Sequence, residues 1–252
     1  MYEEHPVFER PEDENARIWR YLDFTKFVSV LDREALFFAR ADVLPDAFEG
    51  SHSRANVALR PILHGGVPAK AKKNFLDTLT TIYREMRRFT FLNCWHLNEH
   101  ESAAMWRLYL KTEEGVAIQS TFRRLADSFT RCREHTIHIG KVRYIDYDTE
   151  LMPAEDIRQP FLHKRKSFEH ERELRAVIQE VPHEEGKGPP WLSPQTGEVG
   201  VYVPVDLEVL IERVYVSPTA PEWFSELVAS VAKKYQLNKE LAQSSLRDGP
   251  VY

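Results

Sequence analysis

The chain has 252 residues, of which 42% are hydrophobic, 29% charged and 12% aromatic, and its net charge is −5. That length and mixture allow one large domain with a real core and argue against disorder. The negative balance argues against a long generic grip on duplex nucleic acid, which needs a basic surface, unless a local basic patch stands on the acidic background.

Residues 1–16 read as a flexible N-terminal arm, and residues 17–252 as a single α+β domain. Arg17–Leu22 (RIWRYL) reads as a strand, and Phe24, Phe27, Val28 and Leu31 recur at helical spacing. Ala35–Arg40 (ALFFAR) reads as a second strand, followed by a long Pro-, Gly- and His-containing loop over 41–66. Phe75, Leu76, Leu79, Ile82, Tyr83 and Met86 fit one face of a helix within 67–88. The strand FTFLNCW (89–95) and a helix over 101–110 come next. Then follow the strand GVAIQS (115–120), a helix over 121–129, and a long strand over 137–147. Residues 154–170 read as mainly helical, leading into the strand LRAVIQ (174–179). A Pro/Gly/Glu-rich surface loop is expected over 182–198, then strands at 199–205 and 210–216 and a closing helix around Trp223–Tyr235. Strands and helices mix without a βαβ rhythm, which favours an α+β fold with a central bent or split mixed sheet flanked by helices.

No apolar run approaches the roughly 18–20 residues needed to cross a bilayer. The acidic opening MYEEHPVFERPEDENAR lacks the features of a signal peptide, so a cytoplasmic chain is expected. Cys94 and Cys132 have no disulfide-framework spacing and are expected as reduced thiols.

Four places carry candidate chemistry. In CWHLNEHESAAMW (94–106) a strand ends in a polar turn that opens a helix, a position where ligands bind against outward-pointing N–H groups; a merely capped helix start is the competing reading. His96 and His100 are four apart, but Leu97 stands where the zinc-protease pattern needs Glu, and no metal is expected. In HKRKSFEHERELR (163–175), Glu171 and Glu173 form an E-x-E pair where a strand begins. Two carboxylates on one strand face can divide acid–base and charge-stabilising work, whereas a solvated helix laced with ion pairs is the bland alternative. Arg20, set among Ile, Trp, Tyr and Leu, needs an anion: a carboxylate such as Glu49 or Glu173, or a ligand phosphate. Arg40 leaves the second strand toward Asp46 and Glu49 and is a further candidate contact for a nucleotide.

The strings WRYLDFTKFVSVLDREALFFARADVLPDAFEG, CWHLNEHESAAMW, GVAIQST and FLHKRKSFEHERELRAVIQ together resemble a widespread bacterial family of domains of unknown function. A second likeness is to ADP-ribosyltransferases: an Arg on the first strand, a polar central strand, and E-x-E opening a late strand. That resemblance implies NAD as substrate, Arg20 as its binding arginine, and Glu173 as the catalytic carboxylate with Glu171 before it. Ser120 would stand on the central strand, although no S-T-S string follows an aromatic residue there. Tyr21, Trp95 and Trp106 would offer rings to the bases. It further implies a toxin or antiviral-defence effector acting on a small-molecule nucleotide, with a protein or nucleic-acid acceptor. A metal-dependent nuclease and a non-enzymatic interaction module stay open as alternatives.

Overall fold

The computed structural model describes residues 1–110, 112–181 and 198–250. In chain order the elements are β1 (Arg17–Asp23), α1 (Phe24–Arg33), β2 (Ala35–Arg40), α2 (Arg54–Leu63), α3 (Ala69–Met86), β3 (Thr90–Leu97), α4 (Ala103–Tyr109) and β4 (Gly115–Thr121). They continue with α5 (Phe122–Ser128), β5 (His138–Lys141), β6 (Arg143–Ile145), β7 (His163–Arg165), β8 (Glu173–Gln179) and β9 (Gly200–Pro204). The chain closes with α6 (Leu207–Leu210), β10 (Arg213–Val216), α7 (Glu222–Lys234) and β11 (Glu240–Gln243).

Nine strands form one mixed sheet in the order β11-β10-β4-β1-β3-β2-β9, with β8 also on β3 and β5 on β8. The fold is α+β. Strand β4 is buried throughout except at Thr121, as a central strand covered on both faces must be. The main core joins Ile18, Trp95, Ile118 and Leu174 of the sheet to Phe27 and Leu31 of α1, Phe122 of α5 and Phe224 of α7.

Local chemistry explains the helix starts. The Asp23 carboxylate caps α1 through the Lys26 N–H, Ser102 caps α4 through Met105, and Thr121 caps α5 through Arg124. Several expected elements differ. The loop expected over 41–66 contains α2, capped by Ser53; only Asn56 of that helix is buried, so it carries no apolar stripe to read. The helix expected over 154–170 is instead two 3₁₀ turns, Gln159–Leu162 and Lys166–Glu171, around the short β7. The long strand over 137–147 divides into β5 in the main sheet and β6, which pairs with β7 in a separate ribbon. The expected loop 182–198 lies, apart from Glu198, outside the described residues. Residues 1–16 run against the domain: Tyr2 bridges to Ile137, and Phe8 is buried beside Phe161 and Val177.

Candidate functional site

The sheet is split where β3 changes neighbours. One edge of β3 pairs with β8 continuously from Thr90 to His96. Its other edge pairs with β2 only at Phe91 and Leu92, and with β1 only at His96 and Leu97. Asn93, Cys94 and Trp95 thus face a gap in which side chains replace ladder bonds. Asn93 Nδ2 donates to the Phe37 carbonyl at 2.9 Å, and Arg20 Nη1 donates to the Cys94 carbonyl at 3.0 Å.

A cavity of about 730 Å³ opens at this gap, within the range of cofactor-sized sites. Arg20 and Tyr21 of β1, Phe37 of β2 and Tyr202 of β9 line it. So do Cys94 and His96 of β3, Tyr109 of α4, and Lys164, Phe168, Glu171, Glu173 and Arg175 from the 163–175 segment.

On the acidic wall, five charged side chains interlock. Arg175 is 1% exposed; it donates to both Glu49 oxygens at 2.6 and 2.9 Å and to Glu173 Oε2 at 2.5 Å. Lys164 Nζ donates to Glu173 Oε1 at 2.7 Å and also to Glu171 Oε2. Both Glu173 oxygens are therefore committed to cations. Burial alone would raise the Glu173 carboxyl, but Arg175 and Lys164 outweigh it and hold the group well below the usual carboxylate range. Burial lowers Arg175, and the Glu173 and Glu49 carboxylates more than reverse that. The cluster has three carboxyls against two cations, and the surplus falls on Glu171. Burial, reinforced by Glu173, pushes Glu171 up to about 7.

The two glutamates do not meet by strand alternation. Glu171 ends a 3₁₀ turn, Arg172 takes the left-handed conformation at φ 41°, and Glu173 opens β8. A left-handed non-glycine residue costs about 1–2 kcal/mol. The reversal at Arg172 and the shared Lys164 bring the carboxyls together.

Arg20, also in the lining, makes no ion pair among the described residues. Its guanidinium stands 5.8 Å from the Trp95 ring centroid and its buried Nε–H has no partner. Burial lowers its pKa, as expected for a cation with no carboxylate beside it. Neither Glu49 nor Glu173 serves it, since both are spent on Arg175. His96 is 3% exposed; its Nδ1 lies 2.7 Å from the Glu171 carbonyl and must carry the proton to bond there, leaving Nε2 as a buried acceptor without a partner.

Of the residues expected from sequence, Arg20, Tyr21, Trp95, Glu171 and Glu173 reach this cavity. Three others do not. Ser120 is fully buried and donates to the Leu210 carbonyl. Trp106 is buried with Trp19, Tyr21 and Met105 and donates its indole N–H to Glu101 at 3.0 Å, so no ring face is free for a base. Arg40 bonds Asp42 at 2.6 Å and the Glu198 carbonyl at 2.8 Å, outside the cavity lining. Trp95, 1% exposed, offers only an edge, because its ring is core. Lys164, Arg175, Tyr109 and Tyr202 escaped sequence reading. Lys164 sits in a charged run that reads as a solvated helix, and Tyr202 joins through long-range pairing of β9 with β2.

No family model and no curated protein matches this chain. Solved structures similar to it include Thermus sp. 2.9 DarT in complex with ADP-ribosylated ssDNA. That likeness has a TM-score of 0.43 and 9% identity over 96% of this chain and 100% of that one. The same protein in complex with NAD+ gives 0.43 and 9% over 95% and 100%. In complex with carba-NAD+ it gives 0.39 and 8% over 93% and 97%.

Proposed function

We propose that this chain is an NAD-using enzyme that breaks the glycosidic bond to nicotinamide and passes ADP-ribose to an acceptor or to water. The observation that carries the reading is the split in the sheet, where a half-buried Arg20 with no ion pair among the described residues lines a cofactor-sized cavity together with the Glu171–Glu173 pair. A half-buried guanidinium whose Nε–H has no partner favours an anion beside it, and a pyrophosphate supplies one with bidentate geometry. Phe37, Tyr202, Phe168 and Tyr109 provide ring faces and edges for the bases.

The carboxyl pair divides the work. The bond between the anomeric carbon and the nicotinamide nitrogen breaks with its electron pair leaving on nicotinamide, and charge develops on the ribose. A nucleophile then bonds to that carbon and loses its proton to Glu171, which is tuned for proton transfer near neutrality. Glu173, clamped by Lys164 and Arg175, supports the developing positive charge through the field of the cluster and positions Glu171 through the shared lysine.

The test is nicotinamide release from NAD by the purified chain and by folded Glu171→Gln. Turnover in the parent and a fall of about 10²–10⁴ in the variant is the expected result. Absence of release in the parent, or undiminished turnover in Glu171→Gln, rejects the reading.

A further inference from the structure

Helix α4 is a cavity wall with little core behind it. Met105, Leu108 and Tyr109 line the cavity from this helix. Met105 and Trp106 are buried in a satellite cluster with Trp19, Tyr21 and Ala117, apart from the main core. Leu108 and Tyr109 line the cavity yet stay exposed, which puts them at its mouth. Tyr109 lies within electrostatic reach of both Arg20 and Cys94. Past the helix, Leu110 sits on Gly115 at the start of β4, where its Cδ2 would meet an added Cβ at 2.2 Å.

The other end of α4 is tied down by one carboxylate. Glu101 Oε2 accepts the Trp106 indole N–H at 3.0 Å and the Ser244 hydroxyl at 2.6 Å. Its Oε1 accepts the Ser245 backbone N–H and the Ser245 hydroxyl, each at 2.9 Å. Three of these four donors come from the segment 244–246, which follows β11 in the chain. Beside the carboxylate, the Ser102 N–H donates to the Tyr21 hydroxyl at 2.7 Å. Hydrogen bonds to a charged acceptor are stronger than neutral ones. These four converge on one side chain, so the start of α4 is held or freed as a unit. The Glu-Ser of CWHLNEHESAAMW thus has a use beyond capping: Ser102 caps α4, and Glu101 ties it to a segment 143 residues further along.

We infer that the segment 244–246 is a latch on the cavity, with Glu101 as the positioning residue through which it acts on α4. Latched, α4 keeps Tyr109 beside Arg20 and screens Cys94. Released, α4 pivots on Leu110 and the mouth widens. The small satellite cluster suits this movement, because elements with few buried apolar contacts open at the lowest free energy. A contact that draws Ser244 and Ser245 off Glu101 therefore opens the cavity from outside it. Regulation of nicotinamide release by this latch rests on the NAD reading, whereas the movement of α4 does not.

The experiment measures how fast a thiol reagent modifies Cys94 and Cys132 in the full native chain at about pH 8 without NAD, each site followed by peptide mass spectrometry. Cys94 lines the cavity and reports the α4 wall; Cys132 lies in the main core and reports general loosening. Glu101→Gln replaces one acceptor oxygen with an amide that cannot accept. S244A/S245A removes two of the four donors without touching α4 or the cavity lining. Each should speed Cys94 about 10- to 150-fold, the range for losing a charge-assisted hydrogen bond, with Cys132 at the parent rate. Combining them should add little, because both break the same latch. Circular dichroism confirms folding. Ser245→Ala alone, at an exposed position, is the milder variant and should give a smaller rise of the same kind. A merely structural role speeds both thiols together. An unchanged Cys94 rate in the folded variants, or Cys132 rising in step with Cys94, overturns the inference. Because no NAD is present, a parent that releases no nicotinamide rejects the NAD reading and leaves this result standing.

Discussion

Replacing Arg175 by Met separates a buried charge cluster from ordinary packing. The substitution keeps much of the side-chain volume but removes both contacts to Glu49, the contact to Glu173 and the bond to the Phe161 carbonyl. Glu49 is 3% exposed and has no other hydrogen-bond donor to its side chain among the described residues. Breaking one side of a buried pair costs about 3–5 kcal/mol, equivalent to roughly 6–20 °C in melting temperature for a chain of this size. The loss carries a pH signature. Burial already raises Glu49 above its ordinary 4.5 despite Arg175, and without the arginine it rises further. A group raised on folding contributes stability that is complete below its unfolded pKa and is lost as pH rises through its folded pKa. The deficit of Arg175→Met should therefore be larger at pH 8 than at pH 5. Adding Glu49→Met should recover much of it, because the orphaned carboxyl is gone. Urea melts at the two pH values measure this. A loss below about 1 kcal/mol, an identical loss at both pH values, or no recovery in the double variant would refute the electrostatic argument.

Three further outcomes follow from the same geometry. Glu171 is raised to about 7, so its contribution to stability is full below about 4.5 and is lost as pH rises through 7; Glu171→Gln should remove that part of the pH–stability slope, measured by denaturant melts from pH 5 to 8. Ser120→Ala leaves the buried Leu210 carbonyl without its hydroxyl donor and should cost about 1–3 kcal/mol, while nicotinamide release per folded molecule stays at the parent level. Burial, with Glu173 adding to it, pushes the Cys94 thiol up to about 12, so a thiol reagent at pH 8 should modify Cys94 and the buried Cys132 far faster in urea than in the native protein.

The fold class was legible because it rests on local signals, and five of the residues singled out in the sequence line the cavity. The helical spacing of Phe24, Phe27, Val28 and Leu31, the polar turn that opens a helix within 94–106, and an arginine set among apolar residues on β1 are all visible without a structure. What escaped depends on partners distant in the chain. Ser120 and Ser53 look equally polar in sequence; only the structure shows one spent on Leu210 and the other starting a helix. Glu173 reads as the catalytic member of E-x-E, yet Lys164, nine residues earlier, and Arg175 take both its oxygens. The left-handed turn at Arg172 has no glycine to announce it. The α2–α3 hairpin hides its first helix because burial, the source of periodicity, is missing there.

Calorimetric titration of NAD into the parent chain and into Arg20→Met tests the central claim most directly, because Arg20 is both a half-buried cation with no ion pair among the described residues and the proposed pyrophosphate contact. The account predicts saturable binding by the parent and a weakening of about 10- to 150-fold in the variant, the range for losing a charge-assisted hydrogen bond. The unliganded variant loses the bond to the Cys94 carbonyl, a cost of about 1–3 kcal/mol, so affinity is compared on protein that circular dichroism shows to be folded. Equal affinity in the two proteins, or no binding by the parent, would contradict the account.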